Sequence, residues 1–344
     1  MRKDTMTTNT NNTIKILATS EIKDLAKDVF EIIKKEDQRF SFCEVEMITF
    51  TSKEMKPKIP CSVRHEEVYL FHSLYHPDPN TAFMRLFLTI DAISRASAKE
   101  ITLVLPYMSY LRQDRKDEPR VPISARLMAN LIESNPKIKR IVVFDTHSDQ
   151  AQGFYNIPVD NLYGALVHRD YFKQLYNGNF ENVVVVSPDH GGTVRARRFA
   201  KYLGENVPIG IVDKKRSGLK SDKVEMLHFL GPEIKGKDVL IFDDMIDTGG
   251  SIINACKMLV EIGANKVYAL ATHGVFSAPN ENLTAEKRLS DSKINVVVTD
   301  TIARSDEYCE KNKDWLKVIS CKNILARAIL ESSKVQGSVS SIFK

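Results

Sequence analysis

The stretch DVLIFDDMIDTGGSI at residues 238–252 limits the possible folds of this chain more than any other. An apolar run suited to a buried strand ends in Asp243 and Asp244, and a loop of small residues, Thr248–Ser251, leads into a helical pattern. In an open α/β sheet, ligands bind at the carboxyl ends of strands. N–H groups and hydroxyls at a helix start suit a phosphate, and paired acids suit sugar hydroxyls or hydrated Mg²⁺. The stretch therefore predicts a site for a phosphorylated sugar, although alone it is equally compatible with a simple turn.

Length and charge exclude several classes of protein. A chain of 344 residues is long for one core and predicts two domains. The 43% hydrophobic and 27% charged residues are typical of a globular protein. A net charge of +5, with acids and bases interspersed, gives no footprint for nucleic-acid binding. No apolar run approaches the ~18 residues of a membrane span, so no membrane partner is expected.

Cysteine usage and the N-terminus predict a cytoplasmic protein. The five cysteines have no C-x-x-C spacing, which indicates a reducing compartment and argues against a zinc site. The first 13 residues, MRKDTMTTNTNNT, are polar and lack the apolar core of a signal peptide. Residues 1–13 are therefore predicted to form a disordered tail.

Short β-rich runs alternate with helical patterns along almost the whole chain. The predicted strands are Ile14–Ala18, Val45–Phe50, Val68–His72, Ile101–Pro106, Ile141–Asp145, Val183–Ser187, Ile209–Val212, Val239–Phe242, Val267–Thr272, Val296–Thr299 and Val318–Ser320. The predicted helices include Glu21–Lys34, Thr81–Ala96, Pro122–Glu133, Thr193–Tyr202, Gly250–Ile262 and Asn323–Ser333. This alternation indicates βαβ units. We predict an α/β fold of two stacked domains, at 14–162 and 163–322, each with a mainly parallel sheet flanked by helices.

A second cluster, YLRQDRK at residues 110–116, follows the predicted strand that ends at Pro106. Three cations among five residues are unsuited to a buried segment, so one interpretation is a solvated loop. The other is a clamp for a nucleotide triphosphate, because the arginine fork matches phosphate oxygens.

Three further segments place polar residues at or after predicted strands. FDTHSDQAQGFY at 144–155 puts His147 at a strand end, where an imidazole can reach Mg²⁺ or a phosphate, although a lone histidine there is more often structural. SPDHGGTVRA at 187–196 puts Asp189 and two glycines before a helix. VDKKRSG at 212–218 is a basic segment that is compatible with an ordinary exposed loop.

Together these segments resemble the motifs of ribose-phosphate diphosphokinases, also called PRPP synthetases. The stretch at 238–252 resembles the phosphoribosyl-diphosphate motif that this family shares with type I phosphoribosyltransferases. The cluster at 110–116 resembles the family's Arg-Gln-Asp loop, which phosphoribosyltransferases lack. The other blocks that match in family order are 144–163, 186–196, 212–218 and 272–277. The resemblance covers about residues 14–343.

The resemblance implies transfer of the β,γ-diphosphoryl group of MgATP to the C1 hydroxyl of ribose 5-phosphate. It implies two phosphoribosyltransferase-like domains with the site in the cleft between them, and a C-terminal segment, 323–344, whose helix can pack back on the first domain. Mg²⁺ is the implied cofactor, ATP and ribose 5-phosphate are the implied partners, and a homo-oligomer is expected.

The same resemblance assigns roles to individual residues. Ribose phosphate is expected to bind Asp243, Asp244, Asp247, Thr248, Gly249, Gly250 and Ser251, and ATP to bind Phe40, Phe42, Glu44, Arg112, Gln113 and Asp117. The metal is expected at His147 and Asp189. Catalysis is assigned to Lys214, Arg216 and His147, with Lys214 and Arg216 on a flexible loop that closes over the transferring group.

The segment FSFCE at residues 40–44 departs from the family. The family reads Phe-Ser-Asp-Gly-Glu there, so Phe42 replaces a polar residue that helps to hold the nucleotide, and Cys43 replaces a glycine. About a dozen extra residues follow, at roughly 50–60. Family members commonly build the ATP site across a subunit contact, so an unusual nucleotide pocket or assembly is expected here.

Three alternatives remain open at this point. The same transfer onto a larger ribose-5-phosphate derivative such as ADP-ribose would fit the altered pocket. A regulatory homologue without activity is less favoured, because His147, Lys214, Arg216 and both acids are present. A phosphoribosyltransferase is least favoured, because that class does not account for the cations at 112–116.

Overall fold

The computed structural model describes residues 13–217, 224–278 and 283–343. The predicted N-terminal tail lies outside these ranges except for Thr13. None of the helices in the described ranges has the length and apolar character needed to cross a bilayer.

Strands and helices alternate through both halves of the described chain. The strands are β1 (Ile14–Ala18), β2 (Phe40–Glu44), β3 (Glu46–Thr49), β4 (Met55–Lys58), β5 (Glu67–Phe71), β6 (Glu100–Val104), β7 (Ile138–Phe144), β8 (Val159–Leu162), β9 (Val183–Ser187), β10 (Ile209–Ser217), β11 (Val224–Leu230), β12 (Asp238–Ile246), β13 (Lys266–Gly274), β14 (Asn295–Thr299) and β15 (Leu316–Ile319). The α-helices are α1 (Lys23–Glu36), α2 (Pro79–Arg95), α3 (Ser124–Glu133), α4 (Gly164–Leu175), α5 (Thr193–Leu203), α6 (Gly250–Glu261), α7 (Ala285–Ser292), α8 (Asp306–Lys311) and α9 (Lys322–Ser332).

The first sheet has six strands in the order β2-β1-β5-β6-β7-β8. All of its neighbouring strands run parallel. Helices cover both faces of such a sheet, so its central strands β5 and β6 are apolar along most of their length. In β6, for example, every residue after Glu100 is buried. The predicted parallel α/β architecture is confirmed for this half.

The second sheet has seven strands in the order β11-β10-β9-β12-β13-β14-β15. Its central strands pair in parallel, and the β10–β11 edge pair is antiparallel. The sequence VVVVS makes β9 a strand that is buried at every position. Two stacked α/β units with mainly parallel sheets are thus present, as the sequence predicted.

The C-terminal helix α9 lies against α1 of the first half. The Nζ atom of Lys322 is 2.8 Å from Asp28 Oδ2, and the hydroxyl oxygens of Ser332 and Tyr69 are 3.0 Å apart. Buried side chains of α9, such as Leu325 and Ile329, join the same apolar cluster as the inner face of α1. The two ends of the chain therefore share one core.

The extra residues near 50–60 form part of a two-stranded ribbon. Strands β3 and β4 pair antiparallel, with Thr49 opposite Met55. The ribbon contacts α2, and Arg85 Nε lies 3.3 Å from Met55 Sδ. The predicted strand at 45–50 was wrong in its bounds, because the buried Val45 separates β2 from β3.

The basic segment at 212–218 also differs from the prediction. We expected a loop that begins just after Val212, but β10 continues to Ser217 because β11 pairs with it. The register places Lys214 opposite Leu227 and Arg216 opposite Glu225. Cross-strand pairing of this kind depends on a partner segment, which the local sequence of β10 does not reveal. The tip of the predicted loop, 218–223, lies outside the described residues.

A buried polar network joins the two sheets where β7 ends. Asp145 accepts hydrogen bonds from the hydroxyl of Thr272 in β13 and from the backbone N–H of Gly164 at 2.9 Å. His273 Nε2 lies 3.2 Å from the carbonyl oxygen of Phe144, and its Nδ1 lies 2.9 Å from Thr301 Oγ1. Buried polar groups that satisfy one another in this way fix a single geometry. The network therefore sets the position of the segment after β7, which carries His147, relative to the second sheet.

Candidate active site

A cleft of about 420 Å³ lies at the carboxyl ends of β9 and β12 and faces the segment after β7. Its lining comprises Arg112, His147, Pro188, Asp189, Gly191, Gly192, Arg195, Asp243, Asp244 and residues 245–252. All of the residues that the sequence singled out for sugar phosphate and metal binding thus line a single cleft. The cleft lies at the position where open α/β sheets bind ligands.

Two acids and one arginine form the base of the cleft. Asp243 and Asp244 lie inside β12, and Asp244 is only 3% exposed. Arg195, near the start of α5, places Nη1 3.0 Å from Asp243 Oδ1 and 3.4 Å from Asp244 Oδ1. A buried carboxylate needs such a partner, because an unpaired charge in this environment is costly. Arg195 therefore offsets the free-energy cost of burying the two acids.

His147 completes this cluster from the first half of the chain. Its Nδ1 lies 2.7 Å from Asp244 Oδ2, although the two residues are 97 positions apart in the sequence. The hydrogen bond to Asp244 raises the pKa of His147, against the opposing effect of burial. Burial also opposes ionisation of Asp244, but the hydrogen bond with His147 and the charge of Arg195 hold the pKa of Asp244 well below its usual range. Asp244 is therefore a carboxylate, and its contact with His147 favours the protonated form of the imidazole.

The neighbouring Asp243 has the opposite electrostatic character. Burial, and then the negative charge of Asp244, raise the pKa of Asp243, while Arg195 opposes that shift. Adjacent carboxylates in one site commonly separate in this way. Asp243 is consequently the more basic of the two acids that face the cleft.

The loop between β12 and α6 has the geometry of a phosphate cradle. Gly249 has φ +75°, in the left-handed region that favours glycine, and α6 begins at Gly250. The backbone N–H groups of the first turn have no partners within the helix, so they are available to an anion. Asp247, just before the loop, pairs with Arg112 through Nη1 at 2.6 Å. The loop thus contacts the Arg-Gln-Asp segment across the cleft.

The loop after β9 presents a second acid. Asp189 Oδ1 accepts a hydrogen bond from the N–H of Gly192 at 2.9 Å, and Ser187 Oγ donates to the carbonyl oxygen of Asp189 at 2.6 Å. One carboxylate oxygen is therefore used to hold the loop. No cluster of three or more His, Cys, Asp or Glu side chains suited to a metal occurs in the described ranges. Mg²⁺ commonly takes one or two carboxylates, waters and substrate phosphates, so Asp189 fits such a partly hydrated ion.

The residues predicted to bind ATP fall into two separate places. Arg112, Gln113 and Asp117 line a second hollow beside the cleft, together with His147 and Ser148. Gln113 is held there, because its Oε1 accepts from Ser124 Oγ at 2.7 Å. This hollow opens next to the His147 cluster, as a site for a phosphate donor requires.

The other predicted ATP residues lie on β2, at the far edge of the first sheet. Four strand spacings separate β2 from β7, roughly 19 Å. Glu44 is exposed and lies 3.5 Å from Lys23, and the half-buried Phe42 has its ring 5.8 Å from that of Phe30. Within one chain, Phe42 and Glu44 therefore do not line the cleft.

Phe40, the third predicted ATP residue on β2, lies in the core of its own chain. Its side chain is only 3% exposed, and its ring lies 6.1 Å from that of Tyr69 inside the core. Phe40 starts a strand whose register with β1 directs this position into the apolar cluster shared with α1. The ring therefore stabilises the sheet within its own chain, and its predicted role at the nucleotide stays a prediction.

The structure describes only the backbone of Lys214 and Arg216. Both positions belong to β10, which pairs in parallel with β9. Asp213, the residue before them, accepts from His190 Nε2 at 2.9 Å, and His190 follows Asp189. This hydrogen bond connects the strand that carries the two cations to the loop of Asp189, the candidate metal ligand. The catalytic role of Lys214 and Arg216 stays a prediction.

Arg195 is the functional candidate that the sequence reasoning missed. It occurs in the segment 187–196, but a single arginine in the first turn of a helix gives no signal by itself. The helical spacing after Gly192 places its side chain against the acids of β12, which lies beside β9 in the sheet. Two adjacent acids in a buried strand require a nearby positive charge. That requirement is the feature of the sequence from which an arginine or lysine at this place could have been predicted.

The ion pair of His147 predicts a pH-dependent contribution to stability. Because the native pKa of His147 is raised above the reference value of about 6.5, the stabilisation is fully present below that pH and is lost as pH rises through the native pKa. Asp244 stays ionised throughout. We expect the free energy of unfolding to differ more between wild type and His147→Gln at pH 6 than at pH 9. Urea titrations at both pH values measure this, and an equal difference at the two would contradict it.

Comparison with known proteins identifies the family. Residues 14–135 match the N-terminal domain of ribose phosphate pyrophosphokinase, and residues 159–311 match the phosphoribosyl transferase domain. The ribose-phosphate pyrophosphokinase of Caldanaerobacter subterraneus is 40% identical over 333 residues, which cover 96% of this chain and 98% of that protein. The Bacillus subtilis protein of the same name is 38% identical over 331 residues, 96% and 97% of the two chains.

A solved structure gives the same result. The crystal structure of phosphoribosylpyrophosphate synthetase from Mycobacterium smegmatis matches with a TM-score of 0.79 at 34% identity, over 93% of this chain and 100% of that one. The fold and the cleft define a transferase built from phosphoribosyltransferase-type domains. The chain belongs to the ribose-phosphate pyrophosphokinase family. The resemblance inferred from the sequence motifs is confirmed.

Proposed function

We propose that this protein transfers the β,γ-diphosphoryl group of MgATP to the C1 hydroxyl of ribose 5-phosphate, giving PRPP and AMP. The observation that carries the proposal is the cluster of His147, Asp244 and Arg195 beside the loop Thr248–Ser251. It places fixed charges next to a phosphate cradle. Relatives named ribose-phosphate pyrophosphokinase support the same acceptor. They give no support to ADP-ribose as acceptor or to a regulatory protein without activity.

The acceptor would be held at both of its ends. The N–H groups and hydroxyls of Thr248–Ser251 bind the 5-phosphate, favoured by the positive end of α6. Asp243 and Asp244 accept hydrogen bonds from ribose hydroxyls and orient the C1 hydroxyl toward the donor. Asp247 closes the same side of the cleft through its contact with Arg112. Holding the sugar at two ends limits its orientation, which is the main requirement for in-line transfer.

The donor would occupy the hollow lined by Arg112, Gln113 and Asp117. In the transfer, the C1 oxygen forms a bond to the β-phosphorus of ATP, and the bond from that phosphorus to the bridging oxygen of AMP breaks. Lys214 and Arg216 stabilise the charge on the transferring group, as the family motif implies. Phosphoryl transfers depend mainly on positioning and charge neutralisation, and these residues supply both.

Mg²⁺ would be held at Asp189, with His147 beside it. The loop of Asp189 leaves one of its carboxylate oxygens free of the hydrogen bond that Gly192 makes. His147 already binds Asp244 through Nδ1, so Nε2 is the nitrogen that remains. It would donate to a phosphate when the ring is protonated, and it would offer a lone pair to an ion only when the ring is neutral. When bound, the ion would neutralise phosphate oxygens of ATP.

A second copy of the chain would supply Phe42 and Glu44 to the nucleotide. Both residues lie at the far edge of the first sheet, out of reach of the cleft in their own chain. The family resemblance implies an ATP site across a subunit contact. We therefore propose a homo-oligomer in which β2 of one subunit approaches the hollow at 112–117 of another.

Release of AMP from ATP tests the proposed function. The purified protein with MgATP is assayed with ribose 5-phosphate, with ADP-ribose and without acceptor. We expect AMP only with ribose 5-phosphate. AMP formation with ADP-ribose alone would replace the proposed acceptor, and no AMP with either would overturn the proposed activity.

Phe42→Asp is expected not to improve the use of ATP. The half-buried ring packs against Phe30, and removing it costs apolar burial, roughly 1–3 kcal/mol, while the new carboxylate lacks the pocket that family members build around it. KM for ATP and the melting temperature are measured, with Phe42→Leu as the apolar control. Tighter ATP binding and faster turnover in Phe42→Asp would instead show that Phe42 is a tolerated defect.

A further inference from the structure

Helix α7 lies directly behind the phosphate loop. Leu289 is fully buried, and its Cγ lies 3.3 Å from where a Cβ on Gly249 would be. The helix is anchored at its start, where the side chain of Thr284 accepts from the N–H of Lys287. The back of the turn at Gly249 is therefore formed by a packed helix and not by solvent.

Arg288 of α7 lies against the same turn, next to the two residues that flank Gly249. Its Nη1 donates to the carbonyl oxygen of Thr248 at 3.2 Å. Its Nη2 lies 2.7 Å from the position that a Cβ would take at Gly250. No side chain other than hydrogen can occupy position 250 while the guanidinium stays there, so the glycine and the arginine fit each other.

Within the described ranges, the side chain of Arg288 makes one hydrogen bond and no ion pair. Among the described residues, no carboxylate lies within 4.0 Å of its guanidinium, in contrast to Arg112 and Arg195. A guanidinium has five N–H donors, and the Thr248 carbonyl takes one of them. Arg288 is not among the described residues that line the cleft, so we expect it to act on a ligand through the loop.

We propose that Arg288 is a positioning residue for the phosphate of the sugar. It fixes the carbonyl of Thr248 outward, so that the following N–H groups face the cleft, and it adds a positive charge behind the bound dianion. A positive charge on the far side of the loop from a bound phosphate strengthens phosphate binding without touching the ligand. This inference rests on the proposed function, because it assigns the loop to the 5-phosphate of the acceptor.

The test compares variants that differ in one charge on one turn of α7. Arg288→Ala removes both the charge and the hydrogen bond, and Arg288→Lys keeps the charge. Lys287→Ala is the matched control, since Lys287 is an exposed cation on the same turn. Calorimetric titration of each protein with ribose 5-phosphate gives Kd, and steady-state assays give KM for ATP.

We expect Arg288→Ala to raise Kd for ribose 5-phosphate about tenfold, the size of one lost charge-assisted interaction. Arg288→Lys should recover part of that loss, Lys287→Ala should stay within about twofold of wild type, and KM for ATP should be unchanged. An equal effect of Arg288→Ala and Lys287→Ala would overturn the inference. So would a rise in KM for ATP as large as the rise in Kd, because it would indicate general distortion.

Two further measurements keep the result decisive. If Arg288→Ala does not fold, Arg288→Gln replaces it, and the inference then requires weaker binding by Arg288→Gln than by Arg288→Lys. If the wild type releases no AMP with ribose 5-phosphate, the proposed function is wrong. In that case, or if ribose 5-phosphate alone gives no measurable binding, titration with inorganic phosphate tests Arg288 separately. Phosphate binding that weakens in Arg288→Ala but not in Lys287→Ala supports the inference, and any other result overturns it.

Discussion

Replacing Asp244 by asparagine is expected to lower kcat by at least about 10³-fold while the protein stays folded. The carboxylate of Asp244 binds His147 and Arg195 and faces the cleft, so its charge orders the whole cluster. Asparagine has nearly the same shape but cannot balance the two cations. Asp243→Asn should abolish turnover as well, because it removes the more basic acid from the acceptor side.

The measurement is AMP release together with a thermal melt of each variant. Asp238→Asn is the matched control: Asp238 begins the same strand, at the end remote from the cleft, and accepts from the hydroxyl of Tyr176 at 2.6 Å. That control should keep near-normal turnover. Near-normal activity of both Asp243→Asn and Asp244→Asn would show that the acids of β12 are structural.

Lys214→Ala and Arg216→Ala are expected to lower kcat by about 10²–10³-fold each, with much smaller changes in KM. Cations that engage mainly the transferring group act in the transition state, where charge builds up on the phosphoryl oxygens. Alternate positions of a strand share a face, so positions 214 and 216 lie on one face of β10 and position 215 on the other.

Lys215→Ala is therefore the control, with an equal change in charge at the intervening position. Initial rates at several concentrations of each substrate separate kcat from KM. If Lys214→Ala and Arg216→Ala raise KM with kcat unchanged, the two cations are ground-state anchors. If Lys215→Ala is as impaired as they are, the effect belongs to the net charge of the strand.

Local sequence patterns were sufficient to predict the core of this fold. The bounds of β1 and β9 match the predicted strands, because both are short apolar runs with a polar residue or glycine turn close behind. The turn at Gly249 was also predictable, since only a small-residue loop can both reverse direction there and approach a phosphate. These features depend on residues that are neighbours in the chain.

Contacts between distant residues were less predictable. The segment 224–230 becomes a strand only because β10 pairs with it, and nothing in its own sequence fixes that partner. The burial of Phe40 was missed for a similar reason: the family motif points to a ligand, while the register with β1 places the ring in the core. Arg195 and Arg288 were not singled out, because an isolated arginine on a helix is usually a solvated one.

Identification of the product by ³¹P NMR decides whether the protein transfers a diphosphoryl group to C1 of ribose 5-phosphate. The reaction of MgATP with ribose 5-phosphate is followed in wild type and in Asp244→Asn. We expect AMP to appear together with a new sugar that carries a diphosphate at C1 and keeps its 5-phosphate, and we expect neither product in the variant. Formation of ADP and a singly phosphorylated C1, or of free diphosphate without a new sugar phosphate, would contradict it.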